Sequence, residues 1–275
     1  HGKEVEHLGI LNRLQAYGSW LMSDPIGFVI YLLYFATSIL LTLVLHEVAH
    51  GFVAYRCGDP TAKMLGRLSL DPRKHLDPVG TLCMVFLGFG WARPVPVNPR
   101  NFRNYRRDDF LVSVAGITVN LTLFLVTISL AVGINGLLWR PEVAQNNSFM
   151  RGMLDYGIFE GNLFQSGSAN GNQFLVLMRY PWLRYVQRFL LMFASMNLSI
   201  GIFNLLPIPP LDGFHLLNDT LLKGKFSLSR NAFQIAQVVL LLLCFTGVLT
   251  GFLSTVINGI EDSVIHLLLL MTGRA

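Results

Sequence analysis

Long apolar runs separated by short polar stretches dominate this chain. Residues 27–45 carry no charge, and their helical pattern continues to Tyr55. Residues 110–139, 189–217 and 232–257 form three further runs of the same kind. A membrane-crossing helix needs about 20 predominantly apolar residues, so the pattern predicts four long spans. Residues 79–92 are also uncharged but shorter and rich in glycine, which predicts a re-entrant or interfacial element. Residues 10–22 are mildly amphipathic and read as a peripheral helix on the membrane surface. Residues 264–271 are too short to cross alone. The expected fold is therefore an all-α polytopic membrane protein. It has about four long transmembrane helices, a short re-entrant or β-like element and peripheral helices. The expected organisation is an N-terminal tail with an interfacial helix over 1–26 and a membrane core over 27–257. That core includes an outer loop over 140–188, and a short C-terminal tail covers 258–275.

Composition agrees with the pattern. The 275 residues are 52% hydrophobic and only 13% charged, with a mean hydropathy of +0.50. A soluble domain carries about 25% charged residues. A wetted globule, a disordered chain and a secreted disulfide scaffold are excluded on that ground. Cys57, Cys83 and Cys244 are far apart and form no CxxC pair, so they suggest neither a zinc knuckle nor a disulfide framework. The net charge of +5 does not point to nucleic acid, because the basic residues flank apolar runs in short loops. Arg56, Lys63, Arg67, Arg73 and Lys74 lie in one such loop. Arg93, Arg100, Arg103, Arg106 and Arg107 lie in the next, and Lys223, Lys225 and Arg230 in a third. If residues 79–92 do not cross, all three loops share one side, which the positive-inside rule makes cytoplasmic. The loop over 140–188 then faces outward.

Against this background the ionisable residues inside the runs stand out. Of 16 acidic residues only Glu47 and Asp212 lie there, with no Lys or Arg and with three histidines, His46, His50 and His215. Intramembrane ionisable groups are expensive and default to function. Residues 46–50 read HEVAH. On a helix, positions i and i+4 share a face, so both imidazoles reach one ion. The adjacent Glu47 can then act as general base toward a water that the metal activates. His50 lies about 9 Å from Arg56 along such a helix, which puts this chemistry close to the cytoplasmic face. A chance HExxH is the plain alternative, but three unpaired polar groups ending an apolar run would each be costly.

Catalytic zinc takes three protein ligands and keeps a position open. The metzincin position after His50 is Arg56, and Glu142, Glu160 and Glu261 lie outside the runs or toward the outer side. Asp212 is the favoured third ligand. It follows Pro207, Pro209 and Pro210, which break the helix and free backbone groups that only a protein- or water-lined cavity can satisfy. His215, one turn on, is a competitor for that role or a partner to it. The alternation of Pro94, Val95 and Pro96 in GWARPVPVN suits an edge strand beside which an extended substrate could add; a rigid proline-rich loop is the alternative.

HEVAH in one membrane helix and NLLPIPPLDG in a later one together resemble the site-2 protease family of intramembrane zinc metalloproteases. The likeness extends through DPRKHLDPVGT at 71–81, GWARPVPVNPRNFR at 90–103 and the GxxxN of Gly116 and Asn120, and covers residues 36–217. The resemblance implies His46, His50 and Asp212 as zinc ligands and Glu47 as catalytic base. It also implies substrate or transition-state contacts for Asn204, and a polar position near the site for Asn120. The implied partners are single-span membrane proteins cut within the bilayer. The implied setting is a multi-pass protein of a prokaryotic cell membrane. With no room for a PDZ or nucleotide-binding module, the chain is expected to be a compact member. A metal transporter would bind through similar side chains, but it usually has repeated halves and several sites along a path, and neither is visible here. A structural membrane protein with a bound zinc is the third reading.

Overall fold

Apolar length decides which segments of this chain become long helices. The computed structural model describes residues 10–78, 80–81, 83, 91–144, 175–220 and 229–271. Over these it has α1 (Ile10–Ser23), α2 (Pro25–Arg56), a single turn α3 (Thr61–Met64) and α4 (Tyr105–Leu138). A second single turn, α5 (Pro141–Ala144), precedes α6 (Leu183–Asn204), α7 (Asp212–Thr220), α8 (Arg230–Phe245) and α9 (Val248–Met271). Four helices among the described residues are long and apolar enough to cross a membrane: α2, α4, α6 and the Gly251–Met271 part of α9. The expected all-α membrane architecture stands. Helix α2, at 32 residues, runs about 48 Å, well beyond a hydrocarbon core of about 30 Å.

Two expected boundaries are corrected. The run over 232–257 is not one span. Helix α8 ends at Thr246, and Gly247 follows with a positive φ of 76°, a conformation glycine adopts without steric cost. The spanning helix is α9, and residues 258–271, expected as part of a tail, form its second half. The run over 189–217 is two helices, α6 and α7, separated at the prolines that were expected to break it. The strand expected over GWARPVPVN is reduced to an isolated antiparallel bridge between Leu76 and Ala92. Pro94 and Pro96 remove the donors that a longer ladder needs. Residues 79, 82 and 84–90 of the expected re-entrant element, and 145–174 of the expected outer loop, lie outside the described residues.

The chain divides into two units, His1–Ile39, Leu123–Met196 and Ser254–Ala275 in one, Leu40–Thr122 and Asn197–Leu253 in the other. In the first, Asp24 accepts from the Gly27 amide at 3.0 Å and caps the start of α2. Tyr17 and Trp20 of α1 pack on Phe28 and Tyr31 of α2, with ring centroids 5.0–6.4 Å apart. Leu138, Trp139 and Met178 form a small buried cluster. The second unit holds all the residues singled out above for chemistry.

Candidate metal centre

Helical periodicity brings the two histidines of HEVAH together as expected. His46 and His50 lie on one face of α2 with their Nε2 atoms 3.0 Å apart. Asp212 completes the group: its Oδ2 is 3.3 Å from His46 Nε2 and 3.2 Å from His50 Nε2. These three side chains form the one group among the described residues whose ligand atoms could hold a metal ion. Tetrahedral zinc, with bonds of about 2.0–2.2 Å, sets its ligand atoms about 3.3–3.6 Å apart, so the three atoms need to spread by only a few tenths of an ångström to hold that ion.

Helix α4 is shaped to accept this group. The Val112 carbonyl accepts from His50 Nδ1 at 2.7 Å. That bond fixes the tautomer and leaves the Nε2 lone pair for a metal. The Asn120 amide, fully buried, lies 3.2 Å from His46 Nδ1. Its Oδ1 has no partner. Turning the amide over would place that oxygen against a His46 Nδ1–H, the arrangement a ligating imidazole favours. Asn120 is thus set against a ligand. Between these positions comes Gly116, where an added Cβ would sit 2.5 Å from both His46 Cε1 and His50 Nε2. Only a glycine lets the two rings pack against α4 here.

Asp212 is delivered by a broken helix. Helix α6 ends at Asn204, and α7 starts at Asp212 after the proline-rich stretch. Gly213 faces the carbonyls of Leu205 and Leu206, the latter only 2.6 Å from where a Cβ would be, so α7 begins tight against the end of α6. His215 does not compete for the metal. Its Nδ1 faces Asp109 Oδ2 at 3.7 Å, and that carboxylate raises its pKa against the opposing effect of burial. Further along α7, burial raises the Asp219 carboxyl to about 6, reinforced by the nearby carboxylate of Asp109. The nearby His215 and Arg106 act in the opposite direction.

Glu47 points elsewhere on α2. Its Oε2 accepts from the Val95 amide at 2.7 Å, so the proline-rich segment meets HEVAH at the carboxylate. Val95 is buried, while Pro94 and Pro96 flank it as the sequence requires. His75, 1% exposed, faces the Ser69 carbonyl at 2.8 Å and serves the loop rather than the centre. Asn204 donates to the Ile200 carbonyl of its own helix at 3.0 Å, and no contact joins it to the ligands.

Residues 34–247 match the sequence profile of peptidase family M50. The chain belongs to that family. The expectations of the site-2 protease family, of a zinc-dependent peptidase and of a membrane-embedded chain therefore stand. The chain is 33% identical over 234 residues to YwhC of Bacillus subtilis (strain 168), a protein named as a zinc metalloprotease, with 85% of this chain and 90% of the relative covered. It is 29% identical over 266 residues to Rip2 of Mycobacterium tuberculosis (strain ATCC 25618 / H37Rv), also named as a zinc metalloprotease. That match covers 93% of this chain and 85% of the relative. No solved structure matches the chain.

Sequence reasoning found His46, His50 and Asp212 because they are charged or titratable where lipid forbids it. The resemblance also placed Asn120 near the site, but the steric role of Gly116 and the Val112 carbonyl were not anticipated. The role of Gly116 could have been read from its spacing of four to Asn120, which shares its helix face. The Val112 carbonyl carries no such signal, since a backbone acceptor has no residue type.

Proposed function

We propose that this M50 peptidase is an intramembrane endopeptidase. It hydrolyses peptide bonds within or near the membrane-spanning segments of single-span proteins, with Glu47 as general base. The observation that carries this reading is the placement of His46, Glu47 and His50 on a helix apolar and long enough to cross the bilayer, with Asp212 of α7 brought against the two imidazoles. Zinc held by those three side chains would polarise the scissile carbonyl and lower the pKa of a neighbouring water.

The chain's own residues do the rest. Val112 and Asn120 hold the imidazoles in orientation. Glu47, as carboxylate, takes a proton from the attacking water and returns it to the departing amine, work worth roughly 10²–10⁴ in rate. A substrate helix hides its amides, so it must unwind to be cut. The extended segment after Ala92 supports capture of the unwound stretch. Pro94 and Pro96 keep that segment from pairing fully, and such an edge can take up an extended peptide. Asn204 and Asn120 are the further candidates for substrate contact, the latter only with a rotation out of its buried place. The basic loops that follow α2 support a site near the cytoplasmic face of a multi-pass membrane protein.

The test uses the purified, zinc-loaded protein in nanodiscs and a panel of labelled single-span substrates. Wild type should cut inside the span, whereas Glu47→Gln should retain zinc and lose at least 10²-fold in turnover, and a chelator should abolish cleavage. Cleavage confined to soluble peptides, or zinc flux with no cleavage, would overturn the reading. Replacing Pro94 and Pro96 by alanine should raise KM for spans more than it lowers zinc occupancy.

A further inference from the structure

The peptide group joining Pro94 to Val95 is held at both ends. Its N–H donates to Glu47 Oε2 at 2.7 Å, and its carbonyl accepts from Arg67 Nη2 at 3.2 Å. The same Nη2 reaches the Arg93 carbonyl at 2.7 Å. Because Val95 lies between two prolines, its N–H is the only backbone donor of that tripeptide. The surroundings keep it in place. Val95 Cγ1 lies 2.9 Å from where a Cβ on Gly51 of α2 would be. The Arg93 amide donates to the His75 carbonyl at 2.8 Å, and the Arg67 amide donates to the Ala62 carbonyl at 2.8 Å. Arg67 is thus fixed at its backbone, and its guanidinium is partly enclosed, with the buried Nε lacking a partner.

We propose that Arg67 is a positioning residue for Glu47, acting through the Pro94–Val95 peptide. The guanidinium fixes and polarises the Pro94 carbonyl, which strengthens the Val95 N–H as a donor to the carboxylate. Oε2 is thereby committed to the loop, and Oε1 is turned to the water. The inference rests on the reading of Glu47 as general base. It adds a cation from the loop after α3, far from HEVAH in sequence, to the machinery that orients the base. Lysine at this position retains a charged donor that can reach the same two carbonyls, so it preserves the function in part; alanine does not.

The experiment uses the full chain, zinc-loaded in nanodiscs, as wild type, Arg67→Ala, Arg67→Lys and Glu47→Gln. Carbonyl-¹³C proline and ¹⁵N valine labelling isolates only three Pro–Val amides, at Val79, Val95 and Val97. The Val95 amide should resonate downfield in wild type. It should move upfield in both Arg67→Ala and Glu47→Gln and stay near the wild-type position in Arg67→Lys. On a single-span substrate, Arg67→Ala should lower kcat roughly 10- to 100-fold, the usual cost of losing such a support, with KM and zinc stoichiometry unchanged. Arg67→Lys should recover most of that loss. A Val95 amide indifferent to both substitutions would overturn the proposal, as would an unchanged kcat in Arg67→Ala. A rise in KM alone would assign Arg67 to substrate capture, and loss of zinc would assign it to folding; either excludes the positioning role. If wild type cleaves nothing, the reading of Glu47 as base fails, whereas the amide response still decides whether Arg67 holds the peptide against the carboxylate.

Discussion

Each unit of this molecule buries a polar cluster among apolar side chains, and the two clusters are built oppositely. In the first, Asn135 Oδ1 accepts from Trp139 Nε1 and from Gln187 Nε2, each at 3.0 Å, and Gln187 also donates to the Ala131 carbonyl at 3.2 Å. Donors meet acceptors, and the cluster ties α4 to α6. In the second, two imidazole nitrogens and a carboxylate oxygen converge within 3.3 Å of one another. One ring is already committed at its other nitrogen to a backbone carbonyl. His50 Nε2 and the Asp212 oxygen are then both acceptors, facing each other at 3.2 Å. A satisfied cluster holds helices together, whereas an imidazole lone pair set against a carboxylate can be satisfied by a cation. In an apolar chain that difference in pairing separates structure from chemistry better than burial does.

The largest effect should come from the carboxylate itself. Asp212→Ala should reduce zinc occupancy at least 100-fold and abolish turnover, while His215→Ala should leave zinc in place; metal analysis after dialysis decides between them. Gly116→Ala should lower zinc affinity roughly 10- to 100-fold, the scale of a lost ligand support, because its methyl group would meet both rings. A competition titration with a chromophoric chelator measures it, and full affinity would mean that α4 shifts freely. Gln187→Ala should cost about 1–3 kcal/mol of stability, the price of leaving a buried partner unsatisfied, with zinc content unchanged. Zinc loss in that variant would erase the distinction drawn above.

The smallest effect lies at the far end of α7. Asp219 has a folded-state pKa raised from 3.8 to about 6. Its contribution to stability is therefore complete below its unfolded pKa and is lost as pH rises through about 6. Asp219→Asn should flatten the thermal stability profile between about pH 4 and 6 and raise Tm at pH 7–8. His215, Asp109 and Arg106 face the same carboxyl, so the profile should be repeated with His215→Gln. No change in either background would mean that the carboxyl is solvated.

The sequence made the spans and the ligands legible for one reason: lipid penalises charge, so each exception is visible. His46, Glu47, His50 and Asp212 are such exceptions. The division at Gly247 was hidden because hydropathy counts apolar length and is blind to a change of backbone direction inside an uncharged run. Arg67 was hidden differently. It reads as one of several loop cations that orient a membrane protein, and its bonds run to the backbone 26 and 27 residues away, where no side-chain pattern marks them. The prolines at 94 and 96 were visible, but the lone amide between them gained meaning only with Glu47 opposite.

The separation of the ligands along the chain sets a condition on biosynthesis. His46 and His50 emerge together on the first long span, while Asp212 follows two further spans, on a short helix after a break. Chains are made and fold from the N-terminus. A nascent chain that has inserted α2 and α4 therefore carries two imidazoles without the carboxylate that completes the centre. The candidate centre can assemble only after α6 has entered the membrane and α7 has docked, so a partly inserted chain lacks the carboxylate that completes it.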